Sequence, residues 1–203
     1  MNVSDTATLD KYSTFNEGRW GPLVKKPLIV FSGTTETDVN AAITVPDARK
    51  TDRTNAQIPM PGSVEMPFVI AARAVSRIAP RANNNPPRGY ATLPLSGLIP
   101  GTDAQQWTYP QKDQAIKGGS GTTDLKDGDP VLSDTVTFYH PSGDPIPAYR
   151  YVVDIVKEMQ VIFNLGLIFE SDEWAEAPLL PDNDVTTNPA AKKPKTAVAA
   201  IAA

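Results

Sequence analysis

Residues 148–169, AYRYVVDIVKEMQVIFNLGLIF, decide how this chain is read. Across them the polar side chains are Arg150, Asp154, Lys157, Glu158, Gln160 and Asn164. At a helical advance of about 100° per residue these fall within an arc of roughly 160°, with apolar side chains filling the rest. The stretch therefore predicts a long two-faced helix. It is fenced by Pro145 and Pro147 before it and by Pro178 and Pro181 after it. So wide an apolar face asks to be buried, and the expected support is a sheet containing residues 131–139.

Working outward, residues 121–139 read as a β-hairpin about an Asp127-Gly128 turn, a dipeptide suited to two consecutive positive-φ positions. Residues 109–117 predict a short helix closed by Gly118. Residues 64–79 predict another, with Ser63 as N-cap, Pro67 in the first turn and Pro80 as breaker. Residues 27–33, PLIVFSG, suit a buried strand ending at glycine. Residues 5–18 suit a helix capped by Asp5. Residues 34–59 are polar and read as loop. The expected class is α/β (mixed α+β): a sheet with packed helices, a hairpin and an extended C-terminal tail.

Composition narrows function by exclusion. The 203 residues include no cysteine, which removes disulfides, thiolate metal sites and cysteine nucleophiles together. The 20 prolines favour short elements joined by fixed turns, or extended segments. A net charge of −4 argues against a dedicated nucleic-acid binder. The longest apolar run, 159–169, contains Gln160 and Asn164 and is too short to span a bilayer. The first residues lack the basic start and apolar centre of a signal peptide. The chain reads as soluble and not exported by that route.

Catalytic candidates are sparse. His140, the single histidine, lies in YHPSGDP beside Ser142 and Asp144. Groups this close on one turn rarely converge as a triad, and a solvated turn histidine is the commoner case. Asp124, Asp127, Asp129 and Asp134 suggest calcium, but they lack the EF-hand spacing and read as hairpin acids. Gly33 and the GGSG at 118–121 invite a phosphate loop, yet neither glycine-rich fingerprint is present; GGSG reads as a flexible turn. Arg73, Arg77, Arg81 and Arg88 form a basic stripe that could meet phosphate or an acidic partner, a solvated face being the plainer reading. KKPK at 192–195 reads as a solvated patch. Trp20, Trp107 and Trp174 are expected core anchors. No catalytic, cofactor-binding or metal-binding residue is assigned.

Several segments, in order, resemble the tail sheath protein of contractile-tail bacteriophages. They are RWGPL at 19–23, PLIVFSGT at 27–34 and ARKTDRTNAQIPMPGSVEMPFVIAARAVSRIAPRANNNPP at 48–87. LPLSGLIPGTD at 93–103, DTVTFYHPSGDPIPAYRYVVDIVK at 134–157 and EWAEAPLLPDND at 173–184 continue the series. None is a chemical motif; their number and order carry the likeness. The resemblance implies an inner α/β core like a subtilisin fold without its catalytic apparatus, and a C-terminal region touching the tail tube. It also implies extensions that add strands to neighbouring subunits, and contraction by rigid-body movement.

On that footing, residues 1–100 are expected to belong to the inner α/β domain. Residues 101–177 would form a C-terminal sheath domain with hairpin and long helix, and 178–203 a Pro/Ala/Lys-rich linker or arm. The alanine-rich ending reads as a helix cut short, and the whole as a fragment or truncated product of a longer subunit. Expected partners are copies of itself, a tail tube protein and a baseplate, with no direct nucleic-acid contact and no membrane insertion. The expected place is the virion tail, assembled in the host cytoplasm. Two other readings remain: a degenerate serine hydrolase built on His140 and Ser142, and another capsid or virion-surface component.

Overall fold

The computed structural model describes residues 5–21, 24, 26–142 and 148–202. By internal contacts the chain divides into Met1–Lys157 and Glu158–Ala203.

The first unit is organised by a β-α-β crossover. Strand β1 (Val30–Thr34) pairs in parallel with β2 (Asn55–Pro59), Ser32 lying opposite Gln57. A parallel pair requires a crossover, and helix α2 (Val39–Asp47), capped by the Asp38 carboxylate on Asn40 N–H, supplies it. This overturns the reading of residues 34–59 as loop. The polar letters of β2 misled because the strand is buried on both faces. Ala56 and Ile58 enter the main core, while Gln57 is buried and donates to Ala42 O at 3.2 Å.

Helix α1 (Thr6–Arg19) begins where Asp5 accepts from Thr8 N–H. It is tied to the start of β2 by a buried bond from Asn16 Nδ2 to Thr54 Oγ1 at 2.8 Å. Helix α3 (Pro67–Asn84) packs on β1. Its N-cap is Met66 rather than Ser63, whose hydroxyl instead donates to Ile99 O at 2.6 Å. Pro67 occupies the first turn, where its missing N–H costs nothing. Pro80 does not break the helix, which continues to Asn84. A proline this near the end removes only one internal bond.

Helix α4 (Tyr109–Lys117) starts with a capping box between Thr108 and Gln111, then ends at Gly118. Strands β3 (Thr123–Lys126) and β4 (Asp129–Leu132) form the expected antiparallel hairpin. Asp127 (φ 54°) and Gly128 (φ 85°) hold its turn, both in the left-handed region that a two-residue turn of this hand requires.

Beyond β4, residues 136–138 are not a continuation of the strand. They make single bridges, Val136 to Tyr151 and Thr137 to Ala56. The bridge at Tyr151 delays the long helix, so α5 runs Val152–Phe169 rather than from residue 148. Its first turns enter the main core, where Val152 is buried with Leu132, Ile58 and Ile70. Only Val152 and Ile155 of this helix are fully buried, whereas Val161, Phe163 and Leu167 are more than half exposed. The apolar face is therefore covered at its beginning and open further on.

In the second unit a parallel bridge joins Leu179 to Lys192, and helix α6 (Pro194–Ala202) follows. Trp174 stands edge-on to Phe169 at 4.8 Å. Lys192, which was expected to be solvated, is buried; it pairs with Glu173 and lies 5.2 Å over the Trp174 ring.

Candidate functional site

His140 is fixed by α2 and by its own strand segment. Its Nε2 lies 3.2 Å from Asp47 Oδ1 at the end of α2, and its Nδ1 lies 2.6 Å from Phe138 O. The hydrogen bond from His140 holds the Asp47 carboxyl below the ordinary carboxylate range; burial opposes this and Lys50 adds to it. Ser142 is exposed. Asp144 lies outside the described residues. A general base must have a ring nitrogen facing the hydroxyl it activates, and both nitrogens of His140 already face other oxygens. The expectation of a solvated turn histidine is nonetheless corrected, since only 9% of the side chain is exposed.

The GGSG segment is corrected as well. Residues 118–121 are all buried. A Cβ on Gly119 would stand 2.7 Å from His140 Nδ1, and one on Gly121 would stand 2.7 Å from Gln57 O. These glycines permit close packing; they are not a flexible turn. Gly33 has the same role, because a Cβ there would meet Pro67 O at 2.0 Å. That position joins β1 to the N-terminus of α3, with no cradle between them.

The hairpin acids separate by environment. Asp124 takes a bond from the Lys112 ammonium, Asp134 lies 3.5 Å from Thr122 Oγ1, and Asp127 sits at the turn. Among the described residues no three acidic or histidine side chains are grouped to hold a metal ion. Trp107 is a buried anchor whose Nε1 donates to Thr37 O at 2.9 Å. Trp20 is half-buried and flanked instead by Arg53, at 4.3 Å, and Tyr149. Trp174 is likewise half-buried.

What the first unit exposes is more distinctive than what it encloses. Val64, Met66, Phe68 and Ile99 are all more than half exposed. The bonds Ser63 Oγ to Ile99 O and Ile99 N to Glu65 Oε1 draw the loops before α3 and around residue 99 together. The result is one apolar patch at the N-terminal end of α3. The arginines of α3 line its exposed side: Arg77 donates to Pro94 O and Arg81 to Gly89 O, both at 3.0 Å. Sequence reasoning raised the arginine stripe but missed the patch, because Ile99 is distant in sequence from residues 64–68.

Two solved structures share this architecture. The sheath tail protein from Desulfitobacterium hafniense matches 82% of the chain at TM-score 0.59 and 13% identity. The fold is that of a tail sheath protein. The baseplate of the anti-feeding prophage contains a second match, over 78% of the chain at TM-score 0.54 and 12% identity. The chain spans only 37% and 41% of those two proteins. No family model and no curated protein sequence matches it. The match agrees with the α/β class expected from the sequence, whereas the β-α-β unit was not expected.

Proposed function

We propose that this chain is part of a structural subunit of a contractile tail or related injection machine, a sheath or baseplate-related component. It assembles with copies of itself around a tail tube, and its movement during contraction drives delivery through the host envelope. The observation that carries this reading is the sheath fold over four-fifths of the chain, in a molecule whose one histidine is occupied by structural bonds. The exposed apolar side chains at the head of α3 and along α5 support it, since contiguous apolar surface marks sites of association.

On this reading the chain does no catalysis. Its partners are further copies, the tube protein and the baseplate, with no direct contact to nucleic acid and no insertion into a membrane. It resides in the virion tail and is assembled in the host cytoplasm. Gold-labelled antibody against the chain, applied to purified particles in the electron microscope, tests this. Label along the tail or at its base is expected. Label on the capsid shell, or none on intact and contracted particles alike, would overturn the reading.

A further inference from the structure

Arg73, Arg77 and Arg81 repeat every four residues on α3, and Arg88 follows after the helix ends. Like charges at this spacing repel one another. An anionic neighbour would relieve that repulsion, yet none of the ion pairs between described residues includes any of these four arginines. Among the described residues their side-chain hydrogen bonds go to the neutral carbonyls of Pro94 and Gly89. Arg77, Arg81 and Arg88 with Asn84 and Asn85 line a concavity of about 300 Å³. The concavity is open to solvent, so a carboxylate-bearing segment of another molecule can reach its arginines. Arg73, Arg77 and Arg88 are exposed. On a chain of net charge −4, this is concentrated positive charge without its complement.

The complement exists elsewhere on the same chain. Residues 170–176, ESDEWAE, carry Glu170, Asp172, Glu173 and Glu176, all exposed. Of these only Glu173 is in an ion pair between described residues, with Lys192. Glu170 directly follows the last residue of α5, where the helix dipole disfavours negative charge, so a cation placed there is favourable twice over. Trp174, held between Phe169 and Lys192, fixes the segment that carries these acids.

We propose that the arginine concavity of α3 is a docking site for the acidic segment 170–176 of a second copy of this chain. The inference rests on the self-assembly reading above and gives it a named contact. The two surfaces differ, so each copy offers one acceptor and one donor, which pair reciprocally in a two-fold dimer or head to tail in a ring or filament. Arg77 and Arg81 can grip carboxylates through paired N–H donors, and Arg88 supplies charge at the rim.

The test is sedimentation of the whole chain across a concentration series, at low salt and at about 1 M salt, where the screening length falls to about 3 Å. Two charge-reversed variants are compared with it: R77E/R81E/R88E and E170K/D172K/E176K. The unmodified chain is expected to associate at low salt and to dissociate at high salt. Each variant alone should associate at least about tenfold more weakly. Mixing the two variants should restore association, because every reversed surface then meets a reversed partner.

Rescue on mixing also shows that both variants are folded. Should either fail to fold, R88Q, which lies outside the helix, must still weaken the salt-dependent association. Association that survives both reversals overturns the contact and leaves self-assembly standing. A chain that stays monomeric at every concentration in low salt overturns the contact and the self-assembly reading together.

Discussion

His140 and Asp47 lie 93 residues apart in sequence, yet their side chains meet at 3.2 Å and join the end of α2 to the segment after β4. The contact depresses the Asp47 carboxyl below its ordinary range. For a carboxylate depressed on folding, the added stability is present above its unfolded value of about 3.9 and is lost as pH falls through the folded value. Removing His140 removes the main cause. H140A is therefore expected to flatten the fall in melting temperature below about pH 4. D47N should abolish the same component. Since Asp47 is half exposed, D47N should cost no more than about 1 kcal/mol at neutral pH. Melting curves from pH 2 to 6 check this (a window set by the carboxylate range of about 4), and parallel curves for H140A and the parent would refute it.

A single methyl at Gly33 should be costly. The added carbon would stand 2.0 Å from Pro67 O and 2.8 Å from its carbonyl carbon, all backbone, so no side chain can rotate away. Helix α3 would have to lift from β1. G33A is expected to cost about 2 kcal/mol or more, a drop of about 4–8 °C for a chain of this size. G128A is the contrasting variant, since nothing lies within 4 Å of a Cβ there; its cost is confined to the left-handed turn, about 1 kcal/mol. Equal melting temperatures for the two would contradict the close approach.

The two halves of α5 should respond oppositely to charge. Val152 is fully buried in the main core, whereas Phe163 is 60% exposed. A carboxylate at 152 has no partner there and must be desolvated. V152D is expected to lose about 4 kcal/mol or more and with it the cooperative transition. F163D should leave the isolated chain within about 0.5 kcal/mol of its parent. Chemical denaturation monitored by circular dichroism separates them. A V152D protein melting with the parent would refute the packing of the helix start.

That contrast shows how far periodicity alone can be taken. The spacing of polar residues in 148–169 identifies an apolar face, but not which turns the chain's own core will cover. Tyr151 adds a bridge to Val136 that no helical pattern encodes. Where a local rule was decisive the elements were legible: Asp5 at the start of α1, Gly118 at the end of α4, Asp127-Gly128 in the hairpin. Strand β2 was illegible because its polar side chains are buried, and the contacts that bury them include partners distant in sequence. Asn55 Nδ2 reaches Ser13 Oγ at 3.0 Å across 42 residues, and Gln57 reaches the backbone of α2. The burial of GGSG was hidden in the same way, since glycine reads alike whether it gives freedom or close packing. At the candidate site, sequence supplied the arginine stripe and the histidine, and the fold alone revealed what each one touches.

Tyr90 gives an alkaline test of the main core. The ring is 2% exposed, and its hydroxyl has no hydrogen-bond partner among the described residues. Burial pushes its pKa up to about 12, partly opposed by the nearby Arg81 charge. With the folded value above the unfolded value of about 10, stability is intact below about pH 10 and falls as pH rises through the folded value. Y90F removes the titrating group and an unpaired buried hydroxyl together. It should be neutral or stabilising by up to about 1 kcal/mol at pH 7. Between about pH 10 and 12 it should lose stability less steeply than the parent. Denaturant midpoints at pH 7, 10 and 11.5 (values spanning the tyrosine range near 10) provide the comparison. A Y90F protein clearly weaker than the parent at pH 7 would mean that the hydroxyl is bonded in solution, and that the core beside Arg81 admits a polar partner.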